Sequence, residues 1–377
     1  MTPAPLRGPQ FGSYAPDEVG WLLTDLSGVP LEAPTEEREE AVQSGAHYAE
    51  SLPHEYRPDA GYLALYRSVL AATAPRLAQA VGTVTELVLR ERGPDVVLAS
   101  LARAGTPIGV LIRRWAAWAH GLDLPHYAVS IVRGRGIDRL ALHHLAEHHD
   151  PSRVVFVDGW TGKGAIAREL AASVAEHEYD TGVRFDPRLA VLADPGRCAT
   201  TFGTREDWLI ASACLNSTVS GLVSRTVLHP RLVGPQRYHG AKFYAELACS
   251  DVSAGFLDAV SAQFPHVGDT TAPADRFADH AGRRAVDSIV EAYGIGDVNL
   301  VKPGVGETTR VLLRRVPWRV LVRAGAPAAD LAHIRLLAQQ RDVPIEEVAD
   351  LPYTCVGLIH PGYTRTPAGA EATAAAP

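Results

Sequence analysis

One run constrains this chain more than any other: Val154-Val155-Phe156-Val157-Asp158-Gly159-Trp160-Thr161-Gly162-Lys163-Gly164-Ala165-Ile166-Ala167-Arg168-Glu169-Leu170. Four apolar residues, an acid, a turn of Thr, Gly and Lys, then helical spacing read as strand, loop and helix. The carboxylate ends a buried strand just before a helix N-terminus, where backbone N–H groups and the helix dipole favour an anion. A sugar phosphate fits such a turn. A Walker loop does not, because it needs four residues between its first Gly and Gly-Lys, then Ser or Thr. Here Gly159 lies too close to Gly162, and Gly164 follows Lys163. The plainer alternative is a strand-to-helix connection whose glycines serve only a tight turn.

The surrounding pattern is α/β. From Asp95 onward, short apolar strands (Val96 to Ser100, Tyr127 to Val132, Val154 to Val157, Leu189 to Ala193) alternate with helices, which implies a parallel sheet covered on both faces. Ligands gather at the carboxyl ends of such strands, where Asp158 sits. Upstream, Gly12 to Val19 reads as a capped start of a helix, and Tyr62 to Leu89 carries apolar residues at helical spacing. Downstream, Val267 to Arg283 is rich in Thr, Ala, Asp and Pro. Beyond it, helix (Val286 to Tyr293), strand (Trp318 to Arg323), helix (Asp330 to Arg341) and strand (Cys355 to Ile359) make a small α/β module. The expected division is a helical extension (1–94), an α/β domain (95–283), the module (284–363) and a low-complexity, disordered tail (364–377).

Length and charge set outer limits. At 377 residues the chain exceeds one ordinary core. No apolar run approaches the roughly 20 residues of a membrane span, and the first ten residues lack a secretory pattern, so no membrane contact and a cytoplasmic address are expected. Cys198, Cys214, Cys249 and Cys355 are too scattered for metal ligation or a disulfide framework and read as reduced thiols. A net charge of −7 argues against a nucleic-acid coat but leaves room for a local basic patch. The oligomeric state is open.

At Val154 to Gly164 the chain resembles the type I phosphoribosyltransferases. That resemblance implies their parallel sheet and binding of phosphoribosyl pyrophosphate (PRPP) with Mg2+. Asp158, followed by Gly159 where the family has a second acid, would hold the ribose hydroxyls. Thr161, Gly162, Lys163 and Gly164 would surround the 5′-phosphate in a loop about two residues short. The stretch Leu101 to Pro107 is similar to the family's pyrophosphate loop, with Arg103 contacting the diphosphate and Ala104-Gly105 letting backbone approach it. The stretch Ser130 to Asp138 holds the place of the family's flexible basic loop, where Arg133 and Arg135 would close over the leaving group. The alternative is an exposed basic turn paired with Asp138. Asp158, Arg103, Arg133 and Arg135 are thus the expected catalytic residues.

The middle segments, Gly203 to Trp208, Ser212 to Thr226 and Tyr238 to Glu246, resemble a subfamily found in bacterial tellurium-resistance and stress gene clusters, some members of which carry the label StiP. Arg205, Asn216 and Arg225 become acceptor or phosphate contacts and Trp208 a base-stacking ring, against the alternative of a polar seam between helices. The label includes the words cysteine protease, which makes Cys214 a possible nucleophile. No His adjoins it in sequence, and a structural thiol is the preferred reading. His144-Leu145-Ala146-Glu147-His148 has an inverted zinc-protease spacing, but among His143, His149 and Asp150 it reads as a polar helix end, and no metal site is expected.

Asn299 to Arg310 resembles the RNA-binding turn of the Pelota and kink-turn-binding ribosomal protein superfamily, with Gly306 in place of its Asn and Arg310 in place of its Lys. Lys302, Gly304, Gly306, Glu307 and Arg310, with Arg314 and Arg315, would contact RNA. A protein-docking domain with a basic rim is the alternative. The resulting expectation is a PRPP-dependent phosphoribosyltransferase, with a base, an amine or RNA as nucleophile, coupled to an RNA-binding domain in a metal or tellurium stress response. A non-catalytic nucleotide sensor that binds RNA is the second reading, and a cysteine protease the third.

Overall fold

The computed structural model describes residues 2–34, 37–38, 47–55, 57–58, 60–271 and 273–360. The expected tail at 364–377 lies outside the described residues. The chain begins with turns rather than a helix at 12–18, since Ala15 precedes a proline and is biased away from helical backbone. Four short strands follow: β1 (Gly20–Leu22), β2 (Thr24–Asp25), β3 (Glu32–Ala33) and β4 (Leu52–Pro53). The long helix α1 (Ala60–Arg92) buries Leu77, Val81, Val84 and Val88, the stripe that its apolar spacing specifies.

The alternating region then unfolds as expected. It runs β5 (Val97–Ala102), α2 (Thr106–His120), β6 (His126–Val132), β7 (Gly136–Ile137), α3 (Arg139–His148), β8 (Val154–Trp160), α4 (Ala165–Thr181), β9 (Leu189–Ala193) and β10 (Thr201–Thr204). The main sheet has the order β1-β6-β5-β8-β9-β10, all parallel, with β7 folded back antiparallel on β6. Its strands are apolar along both faces because both are covered. Leu98, Val155, Val157 and Leu192 pack with α1 and α2, while Val97, Phe156, Leu189 and Val191 pack with α3 and α4. The extension is therefore only partly helical, and it supplies β1 to the sheet.

Between β10 and α5 (Ser253–Ser261) the chain is mostly turns, with β11 (Gly240–Ala241) pairing β2. The C-terminal module comprises α6 (Ala281–Ala292), β12 (Val301–Pro303), α7 (Val305–Arg314), β13 (Pro317–Arg323), α8 (Ala328–Gln340), β14 (Ile345–Val348) and β15 (Cys355–Ile359). Its sheet has the order β12-β15-β13-β14, with β14 parallel to β13 and the other pairs antiparallel. The module is docked: Val305, Leu312, Leu331 and Ile334 share one apolar cluster with Leu77 of α1 and with Ala213 and Cys214. No helix among the described residues is long and apolar enough to cross a membrane.

Candidate functional site

Four parallel strands, β5, β6, β8 and β9, end on the same side of the sheet. After β8 the chain turns sharply: Thr161 N–H donates to the Ala193 carbonyl at 3.0 Å, the Thr161 hydroxyl donates to Asp194, and Gly164 takes a φ of 70° to start α4. Asp194 braces this turn from beneath. It is fully buried, accepts the Cys198 and Ala199 N–H groups at 2.8 and 3.1 Å, and pairs with Arg205 at 2.9 Å. Thr161 is thereby committed to the scaffold. The N–H groups of Gly162, Lys163 and Gly164 meet no acceptor among the described residues.

Above the turn lies a crevice of two adjoining chambers of about 280 and 290 Å³, both lined by Asp158, Trp160, Ile166 and Arg310. Arg103, Ser212 and Asn216 line the inner chamber, and Arg133, Lys163, Lys302 and Glu307 the outer one. The Asp158 carboxylate accepts only the Gly159 N–H (2.8 Å) among the described residues, and burial pushes it up to about 7. Lys163 donates to the Val298 carbonyl at 2.9 Å, and burial, with the charges of Lys302 and Arg133, pulls it down to about 8. Lys302 is lowered too, first by its own burial. Arg310 donates to the Ala213 carbonyl and pairs with Glu307, each at 3.0 Å, with its guanidinium 5.5 Å from the Trp160 ring centroid.

The structure brings together Asp158, Gly159, the 161–164 turn, Arg103, Ala104, Gly105, Arg133, Asn216, Lys302 and Arg310. Arg103 is already engaged, donating to the Val223 carbonyl at 3.2 Å and lying 3.7 Å from Glu55. Gly105 is required for close packing, since a Cβ there would fall 2.4 Å from the Val157 carbonyl oxygen. The Arg133–Gly136 hairpin is tied to α4 and to Tyr48. Gly134 and Gly136 donate N–H bonds to the two Glu169 oxygens, both 2.9 Å, and the Tyr48 hydroxyl accepts the Arg133 N–H. Arg135 is exposed and lines neither chamber. Asp138 caps α3 instead of pairing with these arginines.

Three expected acceptor contacts lie elsewhere. Arg205 is held by Asp194 and the Phe277 carbonyl. Arg225 donates to the Tyr48 and Ser51 carbonyls, and burial lowers it to about 10. Trp208 is buried beneath the Arg76 guanidinium, 4.7 Å from its ring centroid. The module's glycine turn faces the body of the protein. A Cβ on Gly304 would lie 3.2 Å from Asp207 and one on Gly306 3.2 Å from Ala213. In the His144 to His148 stretch, His144 and Glu147 hold Thr2 at 2.8 and 3.0 Å, and no group of three metal-ligating side chains occurs among the described residues.

Sequence reasoning missed Asp194, Glu169 and Asp207, the acids that fix the site. Only Asp194 carried a signal, as an acid at a strand end before Pro-Gly. Two of the thiols are held away from the thiolate form. Burial, then the Asp194 charge, pushes Cys198 up to about 11, and burial also raises Cys355. Cys214 is buried with its carbonyl accepting the Tyr62 hydroxyl, and Cys249 is exposed.

Residues 12–261 match the family model described as tellurite-like stress resistance cysteine protease StiP, and residues 280–361 match the PELOTA RNA binding domain. A protein of Acinetobacter baylyi named cysteine protease StiP is 34% identical over 364 residues, covering 92% of this chain and 94% of that protein. These findings overturn the expected PRPP-dependent phosphoribosyltransferase and its transferase chemistry, and with it the non-catalytic sensor. The names point to a thiol hydrolase, the reading placed last on sequence. The error has a physical source: a strand, an acid and a phosphate-friendly turn describe a fold that many chemistries share, and the second acid of the transferase motif is absent. The match to residues 12–261 and the near full-length relative establish that this chain belongs to the StiP family.

Proposed function

We propose that this chain is a thiol-dependent peptidase of stress resistance, with the crevice as its substrate cleft, Cys214 as nucleophile and the C-terminal module as an RNA contact. The observation that carries the reading is the 34% identity, over 92% of the chain, to the relative named cysteine protease StiP. Within the StiP-matched stretch, Cys214 is the thiol whose neighbours, Ser212, Leu215 and Asn216, line the inner chamber. The type I phosphoribosyltransferase-like sheet is, on this reading, a scaffold kept while its chemistry differs. Four free thiols suit a reducing compartment such as the cytoplasm.

The chemistry follows from the residue type. The thiol gives its proton to a base, the thiolate adds to the scissile carbonyl, and the tetrahedral oxyanion collapses to a thioester as the protonated amine leaves. Water then hydrolyses the thioester and regenerates the thiol. Arg103 and Arg310 line the inner chamber and supply cationic donors for the oxyanion. Cys214 is buried, so on this reading a substrate reaches it only when the 212–216 turn opens. Were a phosphate ester to bring magnesium into the crevice, Asp158 is the carboxylate placed to meet it.

The test is hydrolysis of a fluorogenic protein substrate by Cys214→Ser, Cys198→Ser and Cys249→Ser variants, with circular dichroism as the folding control. A loss of at least about 100-fold in Cys214→Ser alone is expected for loss of a covalent nucleophile. Wild-type hydrolysis by a folded Cys214→Ser protein would remove the assignment. For the module, RNA affinity that falls steeply with salt is expected of phosphate contacts.

A further inference from the structure

The turn that carries Cys214 is closed from the side of the C-terminal module. Residues Ala211–Cys214 form one short 3-10 turn that no side chain caps at its start, a form with poor hydrogen-bond geometry of its own. Helix α7 holds this stretch at both ends. At one end Asp207 accepts the N–H of Val305, the first residue of α7. At the other, Arg310 Nε donates to the Ala213 carbonyl at 3.0 Å, with its guanidinium paired to Glu307. Between them Gly306 lets the helix come close, since a Cβ there would lie 3.2 Å from that of Ala213. Val305 and Leu312 then join Ala213, Cys214 and Leu215 in one apolar cluster, and Cys214 keeps only 1% of its surface exposed. A second tie joins module and body, from Asp330 of α8 to Arg76 of α1 at 2.7 Å.

We propose that α7 is an autoinhibitory latch: docked, it holds the 212–216 turn shut over Cys214, and the thiol meets solvent and substrate only when α7 lifts. The covering of Cys214 stands on geometry alone, and its consequence for hydrolysis rests on the peptidase reading above. Lifting α7 exposes Val305 and Leu312 and breaks the bonds at both ends of the turn, so the closed form dominates in the free chain. The docked module commits Gly304, Gly306 and Arg310 to the body. A partner that takes the same residues must undock them first, so the latched and partner-bound states exclude each other.

The experiment labels the full chain with iodoacetamide and follows the Cys214 peptide by mass spectrometry. The wild type is compared with Gly306→Leu, which wedges α7 away from Ala213, with Arg310→Ala, which removes the bond to its carbonyl, and with the exposed control Arg335→Ala. Hydrogen exchange in β5 and β6 reports on the rest of the fold. Cys214 should react at least about ten-fold faster in the first two variants, the scale set by losing a charge-assisted hydrogen bond or overpacking a close contact. The control, and the exchange of β5 and β6, should match the wild type. Unchanged Cys214 labelling in both variants would show that the body alone closes the turn. Acceleration matched by faster exchange in β5 and β6 would show a contact that serves the whole fold, and either result overturns the latch. Hydrolysis of the fluorogenic substrate is followed in Gly306→Leu, because Arg310 is itself one of the oxyanion donors, and it should rise with the labelling rate. Faster labelling without hydrolysis leaves the latch in place and removes the peptidase reading.

Discussion

Val305 donates its backbone N–H to Asp207 Oδ1 at 2.9 Å, across the seam between the main body and the C-terminal module. The other carboxylate oxygen accepts the Thr354 N–H at 2.8 Å, and the Asp207 carbonyl accepts the Thr354 hydroxyl at 2.6 Å. An acid from one body thus caps the first turn of α7 in the other, where an N-terminal helix dipole favours negative charge. The same carboxylate faces Gly304 of the module's glycine turn, where an added Cβ would lie 3.2 Å from Asp207 Oδ1.

Replacing Asp207 by Ala leaves the Val305 and Thr354 N–H groups buried without acceptors. The expected cost is about 2–4 kcal/mol, seen as a lower denaturant midpoint. Hydrogen exchange should quicken at residues 301–314 and 354 and stay unchanged in β5 and β6. Uniform loss of protection would show that Asp207 serves the whole fold and not the seam.

Asp158 sets a pH signature. Its carboxyl is pushed up to about 7 in the folded chain, against about 3.9 when unfolded. The folded state therefore binds the proton more tightly, and the stability this gives is present below about pH 4 and lost as pH rises through 7. Asp158→Asn should raise the melting temperature at pH 8. The gain should shrink through pH 7 to 4 and vanish below, and a gain that persists at pH 3.5 would contradict the assignment.

Gly282 marks the tightest contact at the start of α6. A Cβ there would fall 2.1 Å from the Tyr353 hydroxyl and 2.6 Å from the Gly196 Cα, and the latter is backbone that cannot step aside. Gly282→Ala should cost about 1–3 kcal/mol through overpacking, read by urea denaturation. Gly294→Ala, which meets open space but has a φ of 61°, separates steric from conformational cost. A Gly282→Ala protein as stable as the wild type would show that the seam is looser than described.

Thiol labelling reads the resting state directly. With iodoacetamide at pH 7.5, Cys249 should react first, because it alone is exposed, and Cys198, Cys214 and Cys355 should follow slowly. Mass spectrometry of the labelled peptides decides the order. Cys214 reacting as fast as Cys249 in the native chain would mean that its turn already stands open.

Much of the sheet was legible because its strands are short apolar runs buried on both faces; Leu189 to Ala193 coincides with β9 to the residue. The position of Asp158 and the Gly164 turn was equally plain, since local backbone chemistry specifies them. What stayed hidden depends on partners distant in sequence. Arg133 and Arg135 look like a mobile basic loop until Glu169, on α4, is found accepting the Gly134 and Gly136 N–H groups on either side of Arg135. Gly304 and Gly306 look like an outward RNA turn until Asp207 and Ala213 are found against them. The reaction class was not legible at all, because the same turn serves different chemistries.

The edge strand β1 pairs Gly20, Trp21 and Leu22 with Tyr127, Ala128 and Val129. On a ribosome, therefore, the earliest part of the sheet must wait, unpaired, for more than a hundred further residues to be made. Its apolar surface would stand open to chaperones during that interval, and slower translation ahead of β6 would lengthen the exposure.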